Sequence, residues 1–258
     1  MKKPLQIEFE SDFVKCSISD RIAVLKFKCN AFEALTNLDH ANKVLPWFDL
    51  VENDPNIKGV IVFTEKNCQG EDAYVNFLSE ITGRKIEKDK LDEITRFEKS
   101  DIRAIEINML IILIRKIYSF KKIFFSAVNG EIVTPFLGLS LASDFRFVTN
   151  DFKMLFSHVK FGLHPSGAVP YLLPKYLNRQ VAMNYLLRGG SINAEEALRF
   201  NLVNEILPSE NFEEDCIKKA NDYVYLSMST LKSTKSLMNI NLKELEDYFN
   251  IESNYTYK

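Results

Sequence analysis

The chain has 258 residues, of which 46% are hydrophobic and 26% are charged, and its formal net charge is −2 at pH 7. This composition is typical of a soluble globular protein with one large domain. Because acidic and basic residues nearly cancel, the chain lacks the general attraction to nucleic acid or anionic membranes that a basic protein has. We therefore expect neither nucleic acid nor a membrane as a partner.

The cysteines and the apolar segments indicate a compartment. Cys16, Cys29, Cys68 and Cys216 are scattered, with no C-x-x-C pair, so their spacing predicts neither a zinc site nor a disulfide framework. Buried thiols in a reducing cytoplasm fit better. The N-terminal "MKKPLQIEFESDF" lacks the apolar stretch of a signal peptide, and the longest apolar run, "IEINMLIILI", falls far short of the ~20 residues that cross a bilayer. We expect a cytoplasmic protein without a metal.

The first part of the chain predicts strands and one helix. Two β-rich runs, at 13–18 and 22–27, are separated by three residues, which predicts a hairpin. A helical pattern follows from Leu38 to Val51. The run "IKGVIVFTE" at 57–65 is continuously apolar. Because it shows no alternation, it predicts a strand that is buried on both faces.

The rest of the chain repeats the sequence of strand, turn and helix. The charged segment 82–93 predicts an exposed, mobile insert, and a long helix is expected at 102–120, buried because it is apolar nearly all round. Further strands are predicted at 122–130, which ends in an Asn-Gly turn, and at 144–149. After Gly167 almost every segment has a helical pattern. This order favours an α/β architecture.

Both buried strands are followed by a turn and the start of a helix. Gly70 and Asp72 follow the first strand, and after the second Thr134 can cap a helix whose first turn holds Pro135. Two such helix N-termini can aim backbone N–H groups into one crevice. Donors placed in this way can hold the negative charge that develops on a carbonyl oxygen.

Several segments, in consistent order from about residue 20 to 240, resemble motifs of the crotonase (enoyl-CoA hydratase/isomerase) superfamily. They are the first helix with its "DP" turn and the following strand, the loop "CQGED", "FFSAVNG" with the later Asp144, and "FGLHPSGA" followed by "NAEEALRFNLVNEILP". The resemblance implies a crotonase-like spiral of ββα units in residues 1–195 and a C-terminal helical trimerisation region in 196–258. It also implies acyl-thioester substrates whose enolate is held by two backbone N–H groups.

The resemblance places the family's site residues on four positions of this chain. The two oxyanion donors fall on Gln69, whose N–H is intact, and on Pro135, which has none. Either the Phe136 N–H takes over through a shifted turn, or the oxyanion hole lacks one donor. The two family carboxylates fall on Gly138 and on His158. Imidazole can transfer one proton near neutrality, but it cannot replace the two carboxylates that grip water during hydration.

Substrate contacts are expected at the two turns and at two lysines: Gly70, Pro135, Gly138, Lys28 and Lys66. The lysines can meet CoA phosphates, although the family's R-P-x-x-x-N-A segment corresponds to "KFKCNAFEAL", which lacks the Arg-Pro. A carrier-protein thioester, which presents only a phosphopantetheine arm, needs fewer adenosine contacts. We therefore expect an acyl-CoA or acyl-carrier-protein thioester as partner, with CoA or phosphopantetheine as part of the substrate and no separate cofactor.

Two functions stay open. The first is an enolate-forming enzyme of fatty acid or polyketide metabolism, an isomerase, decarboxylase or C–C lyase in which His158 is the acid/base. The second is a catalytically degenerate member that binds a thioester or a partner subunit without turnover, as Pro135 and Gly138 indicate. A structural role is the alternative for His158 and is favoured for His164. Amphipathic helices after about residue 190 predict a homotrimer or a dimer of trimers.

Overall fold

The computed structural model describes residues 6–28 and 30–256, so Cys29 lies outside the described residues. The strands are β1 (Phe9–Glu10), β2 (Val14–Ser19), β3 (Ile22–Phe27), β4 (Gly59–Thr64), β5 (Ile123–Val128), β6 (Glu131–Val133), β7 (Phe145–Thr149), β8 (Lys153–Leu155), β9 (Ser191–Asn193) and β10 (Glu205–Leu207). The α-helices are α1 (Ala31–Thr36), α2 (Leu38–Asn53), α3 (Glu71–Thr82), α4 (Ser100–Ser119), α5 (Thr134–Ala142), α6 (Val169–Leu172), α7 (Arg179–Arg188), α8 (Ala194–Arg199), α9 (Phe212–Tyr223), α10 (Met228–Met238) and α11 (Leu242–Thr256). Two 3₁₀-helices span Ser157–Phe161 and Leu173–Lys175.

Within the described residues the main sheet has the strand order β1-β2-β3-β4-β5-β7-β10. β1, β2 and β3 pair antiparallel, whereas β3, β4, β5, β7 and β10 run parallel. The predicted hairpin is confirmed as β2 and β3, with Asp20 in the left-handed region at its turn. The predicted strands at 57–65 and 122–130 are confirmed as β4 and β5, which lie side by side at the centre of the sheet.

Both faces of the central strands are covered. Ile61, Phe63 and Phe125 belong to a cluster beneath α9 and α10. Val60 and Phe124 belong to the larger core on the opposite face, beneath α2, α4 and α5. A strand that is covered on both faces needs apolar residues at consecutive positions. This double burial accounts for the lack of alternation in both runs.

The chain passes repeatedly from the main sheet to a small second sheet. β5 and β7 are each followed by a strand of this second sheet, β6 and β8, which pair in parallel, and each pair leads into a helical segment. β9 completes the second sheet antiparallel to β8. These repeats are the predicted ββα units, so the predicted α/β fold is confirmed.

The C-terminal region also contributes to the sheet. β10 pairs in parallel with β7, and Lys235 of α10 reaches Asp144 at 2.6 Å and the Lys122 carbonyl at 2.9 Å. The expectation of helix after Gly167 holds apart from β9 and β10, which are too short to leave a pattern of their own. None of the helices in the described residues is long and apolar enough to cross a membrane.

The charged insert is anchored at several points. Ile86 is buried, Arg84 and Asp92 form a two-pronged ion pair, and the Asp92 N–H donates to the Lys160 carbonyl (2.8 Å). The Ile94 N–H, just beyond the insert, donates to the Phe161 carbonyl (2.9 Å). The expectation of an exposed insert is therefore wrong at Ile86, which is a core residue.

Candidate functional site

The turns after β4 and β5 are joined by one asparagine. β4 and β5 are parallel, so their carboxyl ends lie at the same edge of the sheet. The Asn67 N–H donates to the Asn129 carbonyl (3.1 Å), and Asn67 Oδ1 accepts from the Glu131 N–H (2.9 Å). A Cβ on Gly130 would lie 2.1 Å from Asn67 Oδ1, and its φ is 83°, so only glycine fits this contact. The two turns therefore form one rigid unit.

Gln69 and Phe136, the predicted oxyanion residues with an N–H, border the same cavity. Gln69 forms an isolated parallel bridge to Ile132, and its carbonyl accepts from the Val133 N–H (2.8 Å). Phe136 lies in the first turn of α5, where backbone N–H groups have no partner inside the helix. Pro135 precedes it in this turn, as expected, and has no N–H to donate.

This cavity has a volume of about 100 Å³ and lies between β3, β4, β5 and the helices α1, α2, α4 and α5. Its polar lining comes from Thr64, Gln69, Ser126 and Ser140, and its other lining residues are apolar. No Asp, Glu, His, Lys, Arg, Cys or Tyr of the described chain lines it. Nor do the described residues hold a group of three or more potential metal ligands. The cavity therefore suits a small, uncharged ligand. It presents hydroxyl groups to that ligand, but no titratable side chain.

The two serines form a pair on the cavity wall. Ser126 lies on β5 opposite Val62 of β4, and both side chains are only half-buried at the centre of the sheet because the cavity leaves them uncovered. The Ser126 hydroxyl donates to Ser140 Oγ of α5 (3.2 Å). This bond connects sheet and helix across the cavity wall.

The position of the family's first carboxylate is filled by backbone. A Cβ on Gly138 would lie 1.5 Å from the Gly167 carbonyl oxygen and 3.2 Å from Ile114 Cδ1. Gly167 and Ala168 both have positive φ (72° and 57°), which lets their segment turn against α5. Gly138 and Pro135 were expected to line the substrate crevice. They lie outside the cavity, because the Gly167 carbonyl takes the space at Gly138 and the Pro135 carbonyl also faces Gly167.

His158 does not face the cavity, so the prediction that its ring points into the crevice is wrong. The side chain is 1% exposed. Nε2 lies 2.9 Å from the Leu186 carbonyl and Nδ1 lies 2.8 Å from the Thr134 hydroxyl. A carbonyl only accepts, so Nε2 carries the proton and Nδ1 accepts from Thr134. Burial lowers the pKa of His158 to about 4, although the bond to Leu186 raises it, so the ring is neutral at pH 7.

Thr134 has a different role from the predicted one. It is the first residue of α5, and Val133 occupies the N-cap position without a side-chain cap. The Thr134 hydroxyl lies against His158 and 3.2 Å from the Leu155 carbonyl. The predicted helix cap is therefore wrong, because the hydroxyl is used to hold the segment that carries His158.

A carboxylate that the sequence analysis did not select lies beside the loop glycine. Glu71 is buried, and its Oε1 accepts from Ser157 Oγ (2.5 Å) and Lys160 Nζ (2.8 Å). Its N–H lies 3.4 Å from Glu131 Oε2. A Cβ on Gly70 would meet Glu131 at 3.0 Å, so Gly70 packs against Glu131 and does not line the cavity. In the sequence, Glu71 was marked only by its place at the variable position of the "CQGED" loop.

The two lysines expected to bind phosphate have acidic partners. Lys28 forms an ion pair with Glu10 and donates to the Ser11 carbonyl (3.1 Å). Lys66 forms an ion pair with Asp151. Neither lysine lines the cavity. A phosphate would have to compete with these carboxylates, although exposed ion pairs of this kind contribute only about 0–1 kcal/mol.

A second group of buried polar side chains lies behind the segment that fills Gly138. Arg103 and Glu106 form a buried ion pair on α4. Glu252 of α11 accepts from the Ala168 N–H (3.2 Å), and burial raises its pKa to about 7. Burial, together with the Arg103 charge, lowers the pKa of His164. These surroundings fit the structural role that was favoured for His164. None of the residues in this group lines the cavity.

The chain is similar to proteins that act on CoA thioesters. It is 25% identical over 198 residues to a putative enoyl-CoA hydratase from Thermus thermophilus, which covers 77% of this chain and 72% of that protein. It is 23% identical over 201 residues to ethylmalonyl-CoA decarboxylase from Bos taurus, with 76% of this chain and 58% of that protein covered. Over a shorter stretch of 86 residues, 32% of each chain, it is 37% identical to (E)-benzylidenesuccinyl-CoA hydratase from Thauera aromatica.

Solved structures have the same fold. An enoyl-CoA hydratase from Bacillus halodurans superposes with a TM-score of 0.76 at 18% identity, covering 95% of this chain and 94% of that one. An enoyl-CoA hydratase from Mycobacterium avium subsp. paratuberculosis gives a TM-score of 0.73 at 18% identity, covering 96% and 93%. The family model described as enoyl-CoA hydratase/isomerase matches residues 18–258. The chain therefore belongs to the enoyl-CoA hydratase/isomerase family and has the crotonase fold.

Proposed function

We propose that this chain is a catalytically degenerate family member, which binds a neutral acyl thioester in the cavity beside Gln69 and Phe136 and does not hydrate it. One observation carries the proposal: the cavity borders both residues that carry the predicted oxyanion N–H groups, yet no ionisable side chain of the described residues lines it. An N–H can hold a thioester oxygen. Moving a proton requires a titratable group within hydrogen-bond reach.

The losses concern catalysis more than binding. Hydration needs two carboxylates that grip one water, and the corresponding positions hold Gly138, which is filled by the Gly167 carbonyl, and His158, whose two ring nitrogens are both bonded. Pro135 removes the donor at the family's second oxyanion position, so that contact falls to the Phe136 N–H of the same helical turn. Both carboxylates of the family's machinery are thus missing together.

The absence of charge in the cavity supports a neutral acyl group. A decarboxylase substrate carries a free carboxylate besides its thioester, and burying an unpaired carboxylate in an apolar cavity is costly. No described lysine, arginine or histidine lines the cavity to pair with it. The resemblance to a decarboxylase therefore does not extend to the charges that such a substrate needs.

We propose that the protein recognises the pantetheine part of the group that carries the acyl chain. Lys28 and Lys66, which were expected to hold CoA phosphates, are paired with Glu10 and Asp151. Pantetheine is shared by CoA and by acyl carrier proteins, so both remain proposed partners. Binding of acyl-CoA, acyl-pantetheine and an acyl carrier protein with equal affinity would show that the protein reads only the shared arm.

One observation favours a second candidate, enolate chemistry with a single base. Glu131 is half-buried, its Oε2 lies 3.4 Å from the Glu71 N–H, and its Cβ lies next to Gly70 in the same turn as Gln69. The carboxylate thus lies beside the turn whose Gln69 N–H is proposed to hold the thioester. If this candidate is right, wild-type protein converts an acyl-CoA substrate and Glu131→Gln abolishes the conversion while thioester binding stays.

Assembly into a homotrimer, or a dimer of trimers, is proposed from the apolar surface of the C-terminal region. Large hydrophobic side chains stay exposed there: Tyr225, Leu237, Met238, Ile240, Ile251 and Tyr255. Exposed apolar side chains mark interfaces where they form one patch. Light scattering at micromolar concentration is expected to give three or six times the chain mass, and a monomer would contradict the assembly.

The proposed function is tested by measuring binding and hydration on the same preparation. Calorimetry with butyryl-CoA and hexanoyl-CoA is expected to show saturable binding, whereas crotonyl-CoA and hexenoyl-CoA, followed by the loss of enoyl absorbance, are expected to show no hydration above buffer. Enzymatic hydration would contradict the proposal, and so would the absence of binding.

A further inference from the structure

The cavity contains a pair of hydroxyl groups that the binding of a plain acyl chain does not use. Ser126 of β5 and Ser140 of α5 line the cavity side by side and are bonded to each other (3.2 Å), within a lining that is otherwise almost entirely apolar. Ser126 donates in this bond, so the hydroxyl hydrogen of Ser140 is not used in it. Hydroxyl oxygens also keep lone pairs that can accept. The pair can therefore give one hydrogen bond and receive another.

The position of the pair relative to the thioester follows from helix geometry. Phe136 and Ser140 are four residues apart on α5, which corresponds to about 6 Å along the helix axis. Both border the cavity. A thioester held at the Phe136 N–H would thus place the serine pair several carbons along the acyl chain, well beyond its third carbon.

We propose that the serine pair selects an acyl group that carries an uncharged hydroxyl several carbons away from the thioester. The inference rests on the proposed function, because it takes the thioester to be bound beside Gln69 and Phe136. A hydroxyl both donates and accepts, as the serine pair does, whereas a methyl group would cover the part-buried pair without giving it a new partner. A distal carboxylate is disfavoured, because no positively charged side chain of the described residues lines the cavity.

Four pantetheine thioesters test the selection: hexanoyl, 6-hydroxyhexanoyl, 3-hydroxyhexanoyl and adipoyl. Pantetheine is used because both CoA and carrier proteins present it. The 6-hydroxy compound is expected to bind about five-fold tighter than hexanoyl, which corresponds to one net neutral hydrogen bond. The 3-hydroxy compound should bind no better than hexanoyl, and the adipoyl compound should bind more weakly.

Variants of the pair separate selection from stability. Ser126→Ala/Ser140→Ala removes both hydroxyls, and replacing both partners of a buried hydrogen bond by apolar groups can be nearly neutral for folding. This double variant is expected to bind hexanoyl-pantetheine as the wild type does and to lose the five-fold preference. Ser143→Ala provides the matched control, since Ser143 is a buried serine at the end of the same helix and does not line the cavity. It is expected to keep the preference.

The outcomes distinguish the inference from the proposed function. Equal binding of hexanoyl and 6-hydroxyhexanoyl thioesters overturns the selection and leaves thioester binding standing. A preference that survives in the folded double variant overturns the role of the serines. Tighter binding of the 3-hydroxy compound overturns the distal position. If none of the four thioesters binds, the proposed function fails and the inference fails with it.

Discussion

The two sides of helix α5 differ in packing: one side borders the cavity, and the other is packed against a neighbouring segment. On one side Phe136, Leu139 and Ser140 border a cavity without any described ionisable lining residue. On the other side Thr134 and Gly138 are packed against the segment that carries His158 and Gly167. The family's two carboxylate positions lie on the packed side. The Gly167 carbonyl fills the space at one of them, and buried hydrogen bonds hold the His158 ring at the other. The comparison indicates that the cavity and the family's carboxylate positions lie on different sides of α5, and that only the cavity side is left open in this chain.

The packed side is expected to be intolerant at Gly138, and this is the largest effect. Gly138→Ala should lower the free energy of unfolding by about 3 kcal/mol or more, because the new Cβ meets the Gly167 carbonyl oxygen at 1.5 Å and overpacking usually costs 1–3 kcal/mol. Urea unfolding of Gly138→Ala and of the wild type measures it. Wild-type stability of Gly138→Ala would show that the segment does not fill this space in solution.

The cavity side is expected to be sensitive in binding. Ala34 lies half-buried on α1 and lines the cavity, so Ala34→Phe should occupy space that four methylenes of a ligand would fill. At about 0.8 kcal/mol per buried methylene, or about 3 kcal/mol in all, the affinity for hexanoyl-pantetheine should fall roughly 200-fold. Calorimetry checks this, with Ala73→Phe outside the cavity as control. Unchanged affinity of Ala34→Phe would place the ligand elsewhere.

The carboxylate behind the packed side is expected to make stability depend on pH. Burial raises the native pKa of Glu252 to about 7 from 4.5, so the fold favours the neutral form. This contribution is present below pH 4.5 and is lost as the pH rises through 7. Glu252→Gln stays neutral, so the wild type should lose up to about 3 kcal/mol relative to this variant between pH 4.5 and 8.

Urea unfolding of both proteins at several pH values measures this difference. The lowered pKa of His158 gives an opposite slope between pH 6.5 and 4, but His158 is present in both proteins, so its contribution cancels in the difference. Parallel stability curves for wild type and Glu252→Gln would show that the carboxyl is not held neutral.

A smaller effect is expected at His158, and it should fall on stability alone. His158→Gln should lower the free energy of unfolding by about 2 kcal/mol, because it leaves a buried partner at Leu186 or Thr134 without its hydrogen bond. Affinity for hexanoyl-pantetheine should stay within two-fold of wild type. A variant with full stability and altered affinity would restore His158 to the binding site.

The sequence predicted the fold better than the site, and particular residues show why. The continuous apolar runs predicted β4 and β5 because double burial leaves its mark on every residue of a strand. The family motifs predicted that Gly138 lacks the carboxylate. They could not predict that the Gly167 carbonyl fills its place, since that contact joins residues far apart in the chain and depends on two left-handed residues.

The polar residues were the hardest to place. Glu71 and Glu252 are buried, although charged residues are seldom fully buried without partners, and their partners come from other segments. His158 was expected at the crevice because of its position in a motif. Its bonds to Thr134 and Leu186 depend on tertiary packing, which a single motif does not contain. The serine pair left no signal, because serine is ordinary on both strands and helices.

Proton exchange on a bound thioester tests the central claim most directly. Hexanoyl-pantetheine is incubated with the protein in D₂O at pD 7.5, its binding is verified by saturation-transfer NMR, and deuterium at its α-carbon is measured over time. Enolate formation requires removal of an α-proton, whatever reaction follows. The account predicts saturable binding with no α-deuteration above the buffer rate. Protein-dependent α-deuteration that Glu131→Gln abolishes would contradict it, and would assign the protein a working base.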